Sequence, residues 1–316
     1  MRSDTFTFEA DDGAGLFVYR WLPDEGAPRL GVVHIVHGMA EHAGRYARLA
    51  ESLTAAGWAV YAGDLRGHGK TARSTGDLGF FAADGGFLRV VRDQEQLIQL
   101  EKRESPDLPL VILGHSMGSY LAQRLLMQRG RDVQGAVLSG TSGKPNAIAA
   151  AGRTLARVEK KRLGPRGRSA LLMRLSFGAF NDAFKPTRTA YDWLSRDPAE
   201  VDRYAADRRC GFPVTASLWV DLLDAMAEIS KPEMHARIPK DLPVYIFAGS
   251  EDPVGERSKS VLQLASALRA AGLRRVEHRI YPGGRHEMLN ETNRDEVVRD
   301  LLAWLTAAVI GNARAA

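Results

Sequence analysis

The sequence predicts an α/β protein in which a mostly parallel sheet is flanked by helices and interrupted by an inserted helical cap. Three observations carry this reading. Short apolar, partly β-branched runs at 31–36, 58–62, 108–113, 135–138 and 242–249 alternate with segments of helical periodicity, the pattern of buried strands joined by crossover helices. Between 143 and 240 the alternation stops and helical segments remain, such as 214–229 with Leu218, Leu222, Met226 and Ile229 on one face. At mid-chain the run 108–113 leads directly into Gly114-His115-Ser116-Met117-Gly118 and then into an amphipathic helix. The 316 residues thus divide into a core of 1–142 and 241–316 and a cap, or lid, of 143–240.

Taken in order, 5–9 and 16–21 are β-rich around the turn Asp11-Asp12-Gly13, so a hairpin opens the chain at the sheet's edge. The strand 31–36 ends in His37-Gly38-Met39-Ala40-Glu41-His42, a loop where a backbone donor for a developing oxyanion is needed, and the Met39 N–H is the candidate. A helix over 46–56 stops at Gly57, and the strand 58–62 leads to Asp64-Leu65-Arg66-Gly67-His68-Gly69. His68 reads as structural or pocket-lining. A helix over 87–101 precedes the central strand, and 135–138 follows the helix after Ser116. Beyond the cap come the strand 242–249, a helix over 257–271, the strand 276–281 and a last helix over 293–309. Parallel strands joined this way require right-handed crossovers.

Composition narrows the function classes. With 45% hydrophobic and 26% charged residues the chain is of ordinary globular type. Neither a signal-peptide pattern nor an apolar run of about 18 residues appears, so a cytoplasmic protein is expected. The single cysteine, Cys210, allows no internal disulfide, and no Cys/His spacing suggests a metal; no metal and no cofactor are expected. A net charge of +5 without a basic recognition element argues against nucleic acid as a partner.

The chemistry centres on the Gly-x-Ser-x-Gly corner. This pattern forces a strained strand-to-helix turn that lifts a serine hydroxyl above the sheet, which makes Ser116 the expected nucleophile. The Met117 N–H then lies at a helix N-terminus, where developing negative charge is favoured, and it is the second expected oxyanion donor. A serine hydroxyl needs a base and an acid that orients the base. In the order Ser, acid, His, only His278 and His286 follow a suitable acid; His278 would be fixed in a strand, whereas His286 lies in the loop after it. His286 is therefore the expected base. Residues 139–146 contain no Asp or Glu, and Gly249-Ser250-Glu251-Asp252-Pro253 supplies Asp252 as the expected acid, with Glu251 as the fallback.

These residues resemble the monoacylglycerol lipase and lysophospholipase group of α/β-hydrolases, often classed with serine aminopeptidases. The resemblance rests on His37 to Tyr46, Asp64 to Lys70, Gly114 to Gly118, Ser250-Glu251-Asp252 and Gly284-Arg285-His286-Glu287. It implies an α/β-hydrolase fold, Ser116, Asp252 and His286 as catalytic triad, and Met39 and Met117 as oxyanion donors. Two departures stand out: Ser119 where the family usually has a second Gly, and Thr71 in the segment after Gly69, where Ser is frequent. Over the cap the likeness is carried by Tyr191 to Asp197 and Cys210 to Pro213.

The expected function is serine carboxylic-ester hydrolysis through an acyl-enzyme, on a monoacylglycerol or similar lipid ester. The alternatives are a short-chain carboxylesterase, an aminopeptidase-type hydrolase that reads an amino terminus with Asp192, Asp197, Glu200 and Asp202, and a ligand receptor without catalysis. Substrate-binding residues are expected in the cap. From 152 to 174 the cap carries Arg153, Arg157, Lys160, Lys161, Arg162, Arg166, Arg168 and Arg174 against Glu159 alone. That stretch reads either as a solvated charged face or as a surface for peripheral contact with anionic membrane.

Overall fold

A computed structural model of the chain describes residues 1–311; residues 312–316, the end of the expected core segment, lie outside them. The strands are β1 (Arg2–Glu9), β2 (Gly15–Leu22), β3 (Gly31–Val36), β4 (Trp58–Gly63), β5 (Leu110–His115), β6 (Gly135–Ser139), β7 (Val244–Gly249) and β8 (Val276–Tyr281). They form one sheet in the order β1-β2-β4-β3-β5-β6-β7-β8. The opening hairpin pairs antiparallel at the edge, as expected, β2 pairs antiparallel with β4, and all remaining pairs are parallel. This is the α/β-hydrolase fold.

Helices cover both faces. The core helices are α1 (Ala47–Ala55), α2 (Gly86–Glu104) and α3 (Met117–Arg129). Between β6 and β7 lie α4 (Ala147–Leu163), α5 (Ala170–Met173), α6 (Ala179–Asp182), α7 (Pro198–Ala206), α8 (Ala216–Ile229) and α9 (Pro232–His235), with no strand among the described residues beyond an isolated bridge from Arg168 to Thr215. After β7 come α10 (Lys259–Ala270) and α11 (Arg294–Trp304). Alternate residues of a strand point to opposite faces, and the core follows that rule. Val32 and Val36 pack with Phe87, Val90 and Leu121 of α2 and α3, whereas Val33 and Ile35 pack with Leu49, Leu53 and Leu301 of α1 and α11. Burying each such aliphatic side chain contributes about 1.5–3 kcal/mol, which explains why β3 to β7 read as continuous apolar runs.

Several boundaries differ from expectation for physical reasons. β5 continues through Gly114 and His115, which still pair with Leu138 and Ser139. α10 begins at Lys259 because Glu256, Arg257 and Ser258 adopt left-handed angles (φ 52°, 51° and 73°), which no right-handed helix accepts. In the insertion, Asn146 caps α4 by accepting from Ala149 N (2.9 Å) and Thr215 caps α8, and the two helices pack along one another. The C-terminal ends of β5, β7 and β8 open onto one edge beneath this insertion, the place where such sheets build sites.

Candidate active site

Ser116 sits between β5 and α3 at φ 51°, ψ −122°. For a side chain other than glycine's this is a strained angle, of the kind that costs about 1–3 kcal/mol and clusters at functional sites. The flanking glycines make the turn feasible. A Cβ at Gly118 would overlap the Val36 carbonyl oxygen, and one at Gly114 would lie 2.7 Å from the Ser119 Cα. Glycine thus lets α3 dock against β3 while Ser116 projects into a cavity that it lines with His286.

Asp252 follows β7 and His286 follows β8. Both Asp252 carboxylate oxygens lie 3.0 Å from His286 Nδ1, and both side chains are essentially unexposed. The carboxylate is held further by Val254 N (2.9 Å). Glu251, the fallback acid, instead points outward and pairs with Arg257 at 3.5 Å. His278 stays in β8 beside Arg269. With Nδ1 committed to Asp252, Nε2 is the nitrogen left to accept a proton, and it has no hydrogen-bond partner among the described residues. Burial pulls the His286 pKa down, but the Asp252 charge and hydrogen bond, with Glu287 and Glu41 beyond, more than offset it and raise it.

The neighbouring imidazoles behave differently. Burial, reinforced by a nearby imidazole, pushes His37 down to about 3 and His115 to about 4. His68 is pushed to about 4 by burial; it packs on His37, Phe81 and Phe212, outside the cavity. Of the two roles expected for it, structural or pocket-lining, this position fits the first.

Met39 and Met117 both line the cavity. The Met117 N–H opens α3, where the first N–H groups lack intrahelical acceptors. The Met39 N–H has no acceptor among the described residues. A Cβ at Gly38 would lie 3.2 Å from the Ser116 Cβ, so this loop passes directly over the serine.

Sequence reading assigned no role to the groups that hold this loop. Glu41 accepts from Gly38 N (2.6 Å) and Tyr46 Oη (3.0 Å) and pairs with Arg45 (2.6 Å). Arg45 also grips Glu287 through both nitrogens (2.6 and 2.7 Å), joining the Met39 loop to the His286 loop. Burial pushes the Glu41 carboxyl up, but Arg45 and nearby His115 bring it down to about 2. The Glu and Arg four residues apart at 41 and 45 were the available sequence signal. The insertion takes part as well. Ala40, at φ 55°, offers its carbonyl to Tyr204 Oη (2.8 Å) and Gly211 N (2.9 Å). The Trp193 ring lies tilted by 31° against that of His286 with centroids 4.9 Å apart, and Leu194 O accepts from Glu287 N (2.7 Å).

The cavity holds about 550 Å³. Away from Ser116 it is lined mostly by apolar side chains of the insertion, among them Leu155, Leu172, Phe177, Trp219 and Leu222. Ile148 and Leu175, which also line it, are 80% and 56% exposed. The cationic stretch is largely neutralised. Lys160 pairs with Asp84, Arg153 and Arg157 with Asp224, Arg162 with Glu159, Arg166 with Asp77, and Arg174 with Asp182. Arg168 donates to the carbonyls of Thr75, Gly76 and Leu78, and neither it nor Lys161 makes an ion pair among the described residues.

His42, Asp207 and Cys210 bring donor atoms within 4.8 Å of one another. A 2.9 Å hydrogen bond between His42 and Asp207 accounts for that pair, and burial pushes the Cys210 thiol far up, against the thiolate a metal would need.

The sequence profile described as "Serine aminopeptidase, S33" matches residues 27–293. A monoacylglycerol lipase of Mycolicibacterium smegmatis is 30% identical over 290 residues, 91% of each chain. A monoglyceride lipase of Mus musculus is 28% identical over 292 residues, covering 89% of this chain and 86% of that one. Among solved structures, a highly thermostable carboxyl esterase from Bacillus coagulans in complex with glycerol superposes with a TM-score of 0.89 at 28% identity, over 98% of this chain and 99% of the other.

Proposed function

The chain belongs to the serine aminopeptidase S33 family of hydrolases and is a monoglyceride lipase-like serine ester hydrolase, and from that premise we propose that it cleaves monoacylglycerols through an acyl-enzyme. Ser116 Oγ attacks the ester carbonyl while His286 Nε2 takes its proton. The tetrahedral oxyanion lies between the N–H groups of Met39 and Met117. As the intermediate collapses, His286 returns the proton to the departing glycerol oxygen, leaving the acyl group on Ser116. Water, deprotonated by the same nitrogen, then releases the fatty acid.

The observation that carries this reading is the buried Asp252–His286 pair beside Ser116, opening onto an apolar chamber of about 550 Å³. A chamber of that size suits a long acyl chain. The aminopeptidase alternative is weakened because the cap carboxylates it would use are engaged: Asp192 with Thr189, Asp197 with Arg294, Glu200 with Arg48, and Asp202 with Arg188. The mobile partner of the reaction is a lipid, and we extend the proposal to a reversible contact of the cap with membrane. Exposed Ile148 and Leu175 at the cavity's rim support that contact better than the paired cations do.

The test combines a fluorophosphonate probe with a substrate panel of monoacylglycerols, lysophospholipids, nitrophenyl esters of increasing length and aminoacyl anilides. Ser116→Ala is expected to lose both labelling and ester turnover, and the parent to prefer monoacylglycerols. Undiminished labelling of Ser116→Ala removes the nucleophile assignment, and a preference for anilides removes the lipid-ester substrate.

A further inference from the structure

We propose that Ser119 is a positioning residue for the oxyanion donor at Met117, an inference that rests on the reading of Ser116 as nucleophile. The Ser116 carbonyl and the Met117 N–H belong to one planar peptide unit, so whatever fixes the direction of the carbonyl fixes the direction of the N–H. At Ser116 this matters more than usual, because φ 51° and ψ −122° leave that peptide outside any regular helix or strand.

Ser119 fixes the carbonyl twice. Its backbone N–H donates to Ser116 O at 2.8 Å, and its hydroxyl donates to the same oxygen at 2.6 Å. The first bond is available to any residue at 119; the second exists only because a hydroxyl stands where the resembled family usually has glycine. Ser119 is wholly buried, and its oxygen lies 2.8 Å from Thr141 Oγ1, which in turn accepts from Gln123 Nε2 at 3.1 Å. Thr141 and Gln123 are buried too, so no exposed group competes for these atoms.

Two effects on the reaction follow. The peptide plane is held against rocking, so the Met117 N–H points at the oxyanion's position before charge develops, and preorganised donors are what such sites depend on. A carbonyl that accepts two hydrogen bonds is also polarised, which makes the N–H at the other end of its amide a stronger donor. Both effects act on the charge of the tetrahedral state and leave the uncharged substrate almost untouched. Ser119 therefore acts on turnover and spares substrate affinity.

The experiment compares the full-length parent with Ser119→Ala, Thr141→Val, their double variant and Ser116→Ala, using a soluble short-chain nitrophenyl ester. Inhibition is measured with an alkyl trifluoromethyl ketone, which adds to the serine as a charged tetrahedral adduct, and with the corresponding alcohol, which cannot. For Ser119→Ala we expect kcat to fall about 10-fold, less than the 10²–10³ that loss of a whole oxyanion donor costs, with KM within twofold. The ketone should weaken by the same factor and the alcohol should not change. Thr141→Val should show the same signature at smaller size, and the double variant should fall short of the product of the two. If Ser119→Ala does not fold, Thr141→Val carries the test. An unchanged kcat in the folded variants, or ketone and alcohol weakening together, overturns the positioning role while Ser116→Ala remains inactive. Turnover by Ser116→Ala overturns the nucleophile reading itself.

Discussion

His37, His68 and His115 are kept neutral by burial, whereas His286, equally buried, is raised by the carboxylate of Asp252. A general base works only when deprotonated, so kcat/KM should fall as pH drops through the His286 pKa, and that acid limb should lie above the ordinary histidine value of about 6.5. Asp252→Asn removes the raising charge and leaves burial, so the limb should move to lower pH while the plateau falls by about 10⁴, the cost known from a serine protease. A pH profile of a soluble ester between about 5 and 9 checks both; an unmoved limb would mean that Asp252 does not set the base. That Ser116, Asp252 and His286 come together was legible in the sequence because each lies in a short motif after a recognisable strand. Glu41, Arg45 and Glu287 were not, because Arg45 meets Glu287 across 242 positions of chain and no local pattern records such a contact. Trp193 escaped for the same reason: its place against His286 comes from the insertion's path.

Among elements, the strands β3 to β7 were readable because both of their faces are buried and their sequences are accordingly apolar. The start of α10 was not, since three consecutive left-handed residues, Glu256 to Ser258, carry no glycine to announce them. The two loops that carry Met39 and His286 are coupled through Arg45, and replacing it by methionine would leave two buried carboxylates facing each other. Loss of one partner of a buried pair costs about 3–5 kcal/mol, and Arg45→Met should be destabilised by that order in urea unfolding at pH 7. In the parent the lowered pKa values of Glu41 and Glu287 give stability that is present above the ordinary carboxyl range and is lost as pH falls through them, for Glu41 toward about 2. In the variant burial alone raises those pKa values, so the deficit should shrink between about pH 6 and 4 as the carboxylates protonate. A deficit that is constant over that range would exclude the coupling as its cause.

At the scale of the whole molecule, no helix among the described residues is long and apolar enough to cross a membrane, and the proposed lipid-ester substrate would be drawn from a membrane surface. Apolar side chains at the cavity's rim would do this by inserting among lipid chains. Ile148→Ser combined with Leu175→Ser should reduce co-sedimentation with vesicles several-fold and slow hydrolysis of vesicle-borne monoacylglycerol, with turnover of a short soluble ester nearly unchanged. Lys160→Gln, Lys161→Gln and Arg162→Gln together should change sedimentation less than the apolar pair, because two of the three cations are already neutralised; the opposite ranking would restore the basic stretch as the membrane contact. The tether of Ala40 to Tyr204 and Gly211 bears on how such enzymes can be rebuilt. A lid grafted from a relative to alter chain-length preference would replace the chamber wall and, with it, the two donors that clamp the loop over Ser116. On the proposed reading, selectivity and turnover are not separately exchangeable parts in this architecture, and a chimera that keeps its speed is one in which the hydroxyl and the N–H facing Ala40 travel with the lid.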